Sequence, residues 1–218
     1  MERIYLHGRS RSGTTITQRI LNSHSDIQIF NEKNLYTNTY TIDEILDIEK
    51  NHYDGNAKYF GDKRGTPSIE QFNLLSELNI KYIYIYRDGR DSVASAFRIN
   101  SFSKPGKAAW RSTDPRINSK DWADHYFIWE EAKANIIPDG NWCELRFEDY
   151  INAPLKNSTI MSKFLGVDLD EMIKLEKRFI KSRETHKGHF TQWVPDWEET
   201  FHQEAIEVLK KLEYLGYI

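Results

Sequence analysis

The residues with the clearest chemical potential stand near the N-terminus, in Gly8-Arg9-Ser10-Arg11-Ser12-Gly13-Thr14-Thr15. Glycines at this spacing let the backbone turn tightly, so that successive N–H groups converge on an anion. A helix that follows adds the positive end of its dipole. The pattern is that of a phosphate-binding loop, G-x-x-x-x-G-K-[ST], with Thr14 where the lysine would stand. With 11 glycines in 218 residues the spacing alone says little. Its weight comes from the hydroxyls of Ser12, Thr14 and Thr15 and from the cation Arg11. A plain strand-to-helix turn capped by Ser12 or Thr14 is the competing reading. Phosphoryl-transfer enzymes place the missing lysine on the β- and γ-phosphates, so its absence disfavours an ordinary nucleoside triphosphatase.

A second cluster is Arg87-Asp88-Gly89-Arg90-Asp91-Ser92-Val93-Ala94-Ser95. Arg87, after an apolar run, can fork onto phosphate oxygens, and Ser95 on the next helix can add a hydroxyl. Taken alone, a helix start serves equally well, with Asp88 or Asp91 as the cap and Arg87 paired to an acid. A third cluster is Thr185-His186-Lys187-Gly188-His189-Phe190-Thr191-Gln192-Trp193, which by itself reads as a polar loop. His186 and His189 have no cysteine or carboxylate partner at ligand spacing, so no metal is expected.

Together these segments resemble the sulfotransferases that use 3′-phosphoadenosine 5′-phosphosulfate (PAPS). Arg11-Ser12-Gly13-Thr14-Thr15 is similar to the family's 5′-phosphosulfate loop, where a basic residue meets the bridging oxygen and the leaving phosphate. The resemblance implies a donor site that includes Arg9, Ser10, Arg11, Ser12, Gly13, Thr14 and Thr15. Residues 87–95 resemble the 3′-phosphate motif, which implies Arg87 and Ser95 as ligands, with Gly89 replacing the usual proline. Residues 185–193 resemble the R-K-G-x-x-G-x-W loop and add His186, Lys187 and Gly188, His186 standing for arginine. Leu145-Arg146-Phe147-Glu148-Asp149-Tyr150, with Pro154 and Phe164-Leu165-Gly166, resembles the family's strand–Glu-Asp–helix segment. Phe147 there lacks the hydroxyl of a tyrosine often found at its position.

The resemblance also implies a base for the acceptor hydroxyl. Lys63, in Gly61-Asp62-Lys63-Arg64-Gly65, takes the place of the lysine in the Lys-x-His motif of the cytosolic small-molecule branch. Gly65 stands where that branch has its histidine. Leu21-Asn22-Ser23-His24-Ser25-Asp26-Ile27 and Phe30-Asn31-Glu32 resemble the tyrosylprotein and Golgi-type branch instead, with Glu32 on its glutamate base. A carboxylate desolvated at a strand end is suited to general-base work. The expected catalytic set is Glu32 as base, Lys63 on the transferring group and Arg11 on the departing phosphate. Asp62 and His24 are the reserves, although His24 reads more simply as helix-end packing. A solvated Glu32 paired with Lys33 is the plain alternative.

These residues need a scaffold that brings distant turns together. Residues 4–7 and 82–86 read as buried strands, with further strands at 27–30, 58–61 and 142–146. Helices are expected from about Thr14, carrying Ile16, Ile20 and Leu21 on one face, and from about Asp91, carrying Val93, Ala96 and Phe97. Others are expected at 68–78, 122–136, 155–165, 169–180 and 198–215. The alternation predicts an α/β fold, a P-loop-like parallel β-sheet with helices on both faces and a helical C-terminal part. A single domain over residues 1–218 follows, with ligands beyond the carboxyl ends of the strands.

Composition narrows the partners. A net charge of −3 gives no global attraction to nucleic acid or an anionic membrane. Cys143 is the only cysteine, which fits a reducing compartment. No stretch approaches the roughly 20 apolar residues of a membrane span, and a soluble, cytoplasmic protein is expected. Residues 100–120 hold Lys104, Lys107, Arg111, Arg116 and Lys120 against the single acid Asp114. This segment reads as a flexible acceptor-side loop that attracts an acidic acceptor such as an anionic saccharide, or as a merely solvated loop. Trp110, Trp122, Tyr126 and Trp129 could stack on sugar rings, yet the last three stand at helical spacing and read as core. The expected reaction moves a sulfuryl group from PAPS to an acceptor hydroxyl and releases PAP. Its rivals are a kinase using ATP–Mg²⁺, with Asp88 as metal ligand, and a non-catalytic nucleotide-binding module.

Overall fold

Five short apolar runs close into one parallel sheet: β1 (Glu2–His7), β2 (Ile27–Asn31), β3 (Tyr59–Arg64), β4 (Ile80–Tyr86) and β5 (Trp142–Arg146), in the order β2-β3-β1-β4-β5. The computed structural model describes residues 1–33, 35–36, 39–53, 55–101, 112, 114–153, 155–183 and 196–213. The helices are α1 (Thr14–Leu21), α2 (Ile42–His52), α3 (Ile69–Leu75), α4 (Gly89–Ser101), α5 (Pro115–Asn135), α6 (Asp149–Asn152), α7 (Lys156–Leu165), α8 (Asp170–Arg183), α9 (Trp197–Thr200) and α10 (Gln203–Lys211).

The central strands bury both faces, which is why their sequences are apolar or aromatic throughout. Ile4, Leu6, Ile83 and Ile85 meet Ile20 and Leu21 of α1, Met161 of α7 and Met172 of α8 on one side. Tyr5, Tyr82 and Tyr84 meet Ile45 of α2, Phe72 of α3 and Trp129 of α5 on the other. Each fully buried isoleucine or leucine contributes about 1.5–3 kcal/mol. Trp122, Tyr126 and Trp129 are all buried, as their helical spacing predicts. α4 packs on α5 through Val93 and Trp122.

This arrangement sets the position of any site. β1 leads into α1 on one face, whereas β4 leads into α4, which packs with α5 toward the other. The chain therefore diverges between the adjacent strands β1 and β4, and in such sheets ligands are expected beyond the carboxyl ends at this point. Residues 8–15 and 87–95 both lie there.

Several elements differ in kind or bounds from those expected from sequence. β3 starts one residue later than expected and runs on to Arg64, so Lys63 lies within the strand. α2 lies outside the expected helices, although Thr41 and Glu44 form a capping box at its start. α5 begins at Pro115, capped by Asp114, and α4 extends to Ser101. Arg116 and Lys120 thus belong to a helix rather than to the loop expected over 100–120. The single helix expected at 198–215 is two, α9 and α10. Phe201 breaks the run by turning its ring into the α5–α10 cluster, and the His202 N–H donates to Ser119 Oγ at 2.9 Å. Among the described residues, no helix is long and apolar enough to cross a membrane.

Candidate active site

The loop after β1 is shaped by what lies behind it. Gly13 has φ of +100°, and a Cβ there would meet Phe147 Cδ2 at 2.3 Å. Only glycine fits both the backbone and the space. Arg11 also holds a positive φ of 76°. Gly13 occupies the N-cap position of α1, no side chain caps that helix, and its first turn holds no acid. The turn capped by Ser12 or Thr14 is therefore not what forms. The positive end of this helix is thus offset by neither a side-chain cap nor a first-turn acid. Ser12 and Thr14 are buried at this turn, while Arg11 and Thr15 are exposed.

The turn after β4 abuts this loop. Arg11 Nε donates to Ser95 Oγ at 3.0 Å, and Arg87 Nη1 donates to the Arg11 carbonyl at 3.2 Å. Arg87 lies over the Phe147 ring at 4.5 Å and reaches Asp91 Oδ2 at 3.4 Å. One aromatic ring thus fills the space below Gly13 and supports Arg87 by a cation–π contact. The Asp88 N–H donates to Glu148 Oε1 at 3.0 Å, and Arg90 forks onto Asp88. Burial pushes Asp91 up to about 7, helped by the nearby Asp88 and Glu148 and opposed by Arg87. Burial also raises Glu148. Gly89, where the resemblance expects proline, has a direct cause: a Cβ there would meet the Trp122 ring at 2.8 Å. The Trp122 indole N–H donates to the Arg87 carbonyl at 3.0 Å.

The third group lies at the carboxyl ends of β2 and β3. Lys63 Nζ meets Glu32 Oε1 at 2.7 Å, and the Glu32 N–H donates to the Lys63 carbonyl at 3.1 Å. Glu32 has φ of +59° and pairs with Lys63, not Lys33. Its side chain is 63% exposed against 4% for Lys63, so the desolvation expected of Glu32 is absent. Asp62 accepts from the N–H groups of Lys33, Lys63 and Leu35 at 3.2, 2.9 and 3.1 Å and acts as a backbone anchor. His24 is buried at the end of α1, where its Nδ1 accepts from the Asp26 N–H.

Arg9 does not lie open to the loop's surroundings. Its side chain is buried and bound to Asp121, Ser92 and Asn118. The sequence names Asp91 only as a possible cap, with Arg87 paired to an acid, and the structure pairs the two; Asp121, Asn118 and the double use of Phe147 are not found from sequence. Only Phe147 gives a local signal, as the ring that replaces a tyrosine before Glu148-Asp149. His186, Lys187, Gly188 and Trp110 lie outside the described residues.

The sulfotransferase domain profile matches residues 2–212. Mouse sulfotransferase SULT7A1, solved with PAP, has a similar fold at 18% identity and a TM-score of 0.62, over 97% of this chain and 82% of that one. The sulfotransferase domain of the Synechococcus PCC 7002 olefin synthase is 15% identical with a TM-score of 0.56, over 98% and 95%. Retinol dehydratase, in complex with androsterone and inactive cofactor PAP, is 14% identical with a TM-score of 0.51, over 96% and 78%. No curated protein matches the chain. The structural likenesses speak for the fold, and the profile, spanning both phosphate-loop segments and the Glu32–Lys63 pair, shows that this chain belongs to the sulfotransferase domain family.

Proposed function

We propose that the chain transfers a sulfuryl group from PAPS to an acceptor hydroxyl and releases PAP. The observation that carries this reading is the junction of the two strand-end turns. Arg11 touches Ser95, and Arg87 touches the Arg11 carbonyl, so an uncapped helix start and a second arginine lie side by side. A donor with phosphate groups at both its 3′ and 5′ positions needs two such cradles side by side. The relatives crystallised with PAP support the same donor.

PAPS brings a sulfuryl group bonded to a phosphate that leaves readily. In this reading the start of α1, with Ser12, Thr14, Thr15 and Arg11, binds the 5′ end. Arg87 and Ser95 hold the 3′-phosphate, together with His186, Lys187 and Gly188. Glu32 Oε takes the acceptor's proton as the new S–O bond forms and the bond to the phosphate breaks. Lys63 neutralises charge on the transferring oxygens, and Arg11 does so on the departing phosphate. The Glu32–Lys63 ion pair keeps base and cation within 2.7 Å of each other. The cations of residues 100–120 support an anionic saccharide as acceptor. Lys120 contributes least, since it is already paired with Asp124 and Glu204. The lone cysteine supports a cytosolic setting.

Glu32→Gln keeps the size and hydrogen-bonding reach of the side chain and removes the base. Turnover, followed as PAP release from PAPS over a panel of alcohols, phenols and saccharides, is expected to fall roughly 10²–10⁴-fold. PAP should still raise the Tm, because the donor cradles are untouched. Near-wild-type turnover in this variant would sink the assignment of the base. Stabilisation of the wild type by ATP–Mg²⁺ but not by PAP would sink the donor.

A further inference from the structure

The buried guanidinium of Arg9 lies between the donor loop, α4 and α5. The residue is 1% exposed. It donates to Asp121 Oδ2 at 2.8 Å, to Ser92 Oγ at 2.8 Å, and to the Asn118 carbonyl and Oδ1 at 3.1 and 3.4 Å. Ser92 and Asn118 are themselves buried. The second oxygen of Asp121 faces His125 Nε2 at 3.6 Å. Burial would raise Asp121, but His125 and Arg9 outweigh it and hold the carboxyl well below the usual range. An arginine removed from water in this way is tolerated only while its partners remain in place.

The loop it belongs to requires such support. Arg11 holds a left-handed backbone conformation that its surroundings must impose, two residues before the left-handed Gly13. The Ser12 N–H donates to the Arg9 carbonyl at 3.1 Å, so the backbone that carries the buried side chain also forms the turn. Asn118 ties in one more segment: its Nδ2 donates to the carbonyls of Ser112 and Asp114 at 2.6 and 3.2 Å. The residue that holds Arg9 thus also fixes the chain entering α5.

We infer that Arg9 is a positioning residue rather than a donor ligand, and that with Asp121 and Asn118 it sets the loop so that the start of α1 meets the 5′ end. This inference rests on the donor site proposed above. The two roles differ in a sign. Asp121 is negative and close to an anion site, so electrostatics alone predicts that Asp121→Asn tightens PAP binding. Positioning predicts the opposite.

The test is PAP affinity by calorimetry for wild type, Arg9→Lys, Arg9→Met, Asp121→Asn and Arg9→Met/Asp121→Asn. Urea unfolding of each identifies a temperature at which all are folded. Asp121→Asn and Arg9→Met are each expected to weaken PAP roughly ten- to a hundred-fold, as misplaced binding groups do. The double variant should be no worse than the worse single one, because both changes break the same link. Arg9→Lys keeps the charge but cannot fork onto three partners and should fall in between. Should Arg9→Met not fold, Asp121→Asn, which keeps the shape of its side chain, decides by itself. Equal or tighter PAP binding by Asp121→Asn, or lost stability with unchanged affinity, overturns the inference. Failure of the wild type to bind PAP overturns the donor site itself, and the role of Arg9 with it.

Discussion

α1 and α2 are two amphipathic helices on the same sheet, and they begin in opposite ways. α2 satisfies its own start: Thr41 Oγ1 accepts from the Glu44 N–H at 3.3 Å, and Glu44 Oε2 accepts from the Thr41 N–H at 2.7 Å. Asp43 and Glu44 further offset the positive end of its dipole. α1 starts at a left-handed glycine, has no side-chain cap and no acid in its first turn, and has Arg11 two residues before that glycine. A helix that only has to be stable neutralises its own N-terminus. In the function proposed above α1 receives an anion, which an open start with a nearby cation suits, and the stability this forgoes comes from tertiary contacts such as Phe147 under Gly13.

The contrast is broken most severely at Gly13. Gly13→Ala forces a β-carbon into the Phe147 ring and costs about 1–3 kcal/mol in backbone strain alone. PAP affinity is expected to fall about five- to 150-fold, which is that strain converted at about 1.36 kcal/mol per factor of ten. Calorimetric titration with PAP checks this, and undiminished affinity would mean that the loop geometry does not matter.

α4 offers a finer comparison, because its first turn does contain an acid, Asp91. Folded Asp91 titrates near 7 against an ordinary value of 3.8. The folded state therefore holds the extra proton between those pH values. The stabilisation is complete below about 4 and is lost as pH rises through about 7. Wild type should lose urea resistance between pH 5 and pH 8 relative to Asp91→Asn. If the two proteins show the same pH dependence, Asp91 is charged throughout, and α4 then resembles α2 more than α1.

The smallest effect belongs to the control. Thr41→Ala removes the cap of α2 and should cost about 1 kcal/mol of stability. PAP affinity should not change, since the loss falls on α2, which carries none of the residues proposed to bind the donor. Urea midpoints and calorimetry on the same preparation would show whether the two helix starts are functionally separate.

What the sequence discloses of this site follows the distance over which each contact acts. The loop of residues 8–15 and the Arg87–Ser95 turn are strand–turn–helix units about ten residues long, and pattern alone identifies them. Five strands and the parallel sheet are legible for the same reason. The capping box at Thr41–Glu44 and the amphipathic run behind it are equally local, yet the helix they mark is missing from the elements expected from sequence. The partners of Arg9 come from more than 80 residues away, so no local pattern announces them. Arg9 therefore reads from sequence as one more cation in a phosphate loop. Glu32 falls at the expected strand end, but its exposure and its pairing with the buried Lys63 are set by the tertiary fold, which spacing cannot reveal.

Gly89 and Trp122 carry a consequence for descent. The indole fills the volume a side chain at 89 would need and also supplies the proton for the Arg87 carbonyl. Proline at 89 with tryptophan at 122 overlaps, and glycine at 89 with a small residue at 122 leaves a hole and a weakened turn. Either change made first passes through a damaged protein. Residues 89 and 122 are thus coupled, and a change at either is tolerated only with a matching change at the other. Gly89 is better understood as half of a packed pair than as a lapse from the family's pattern.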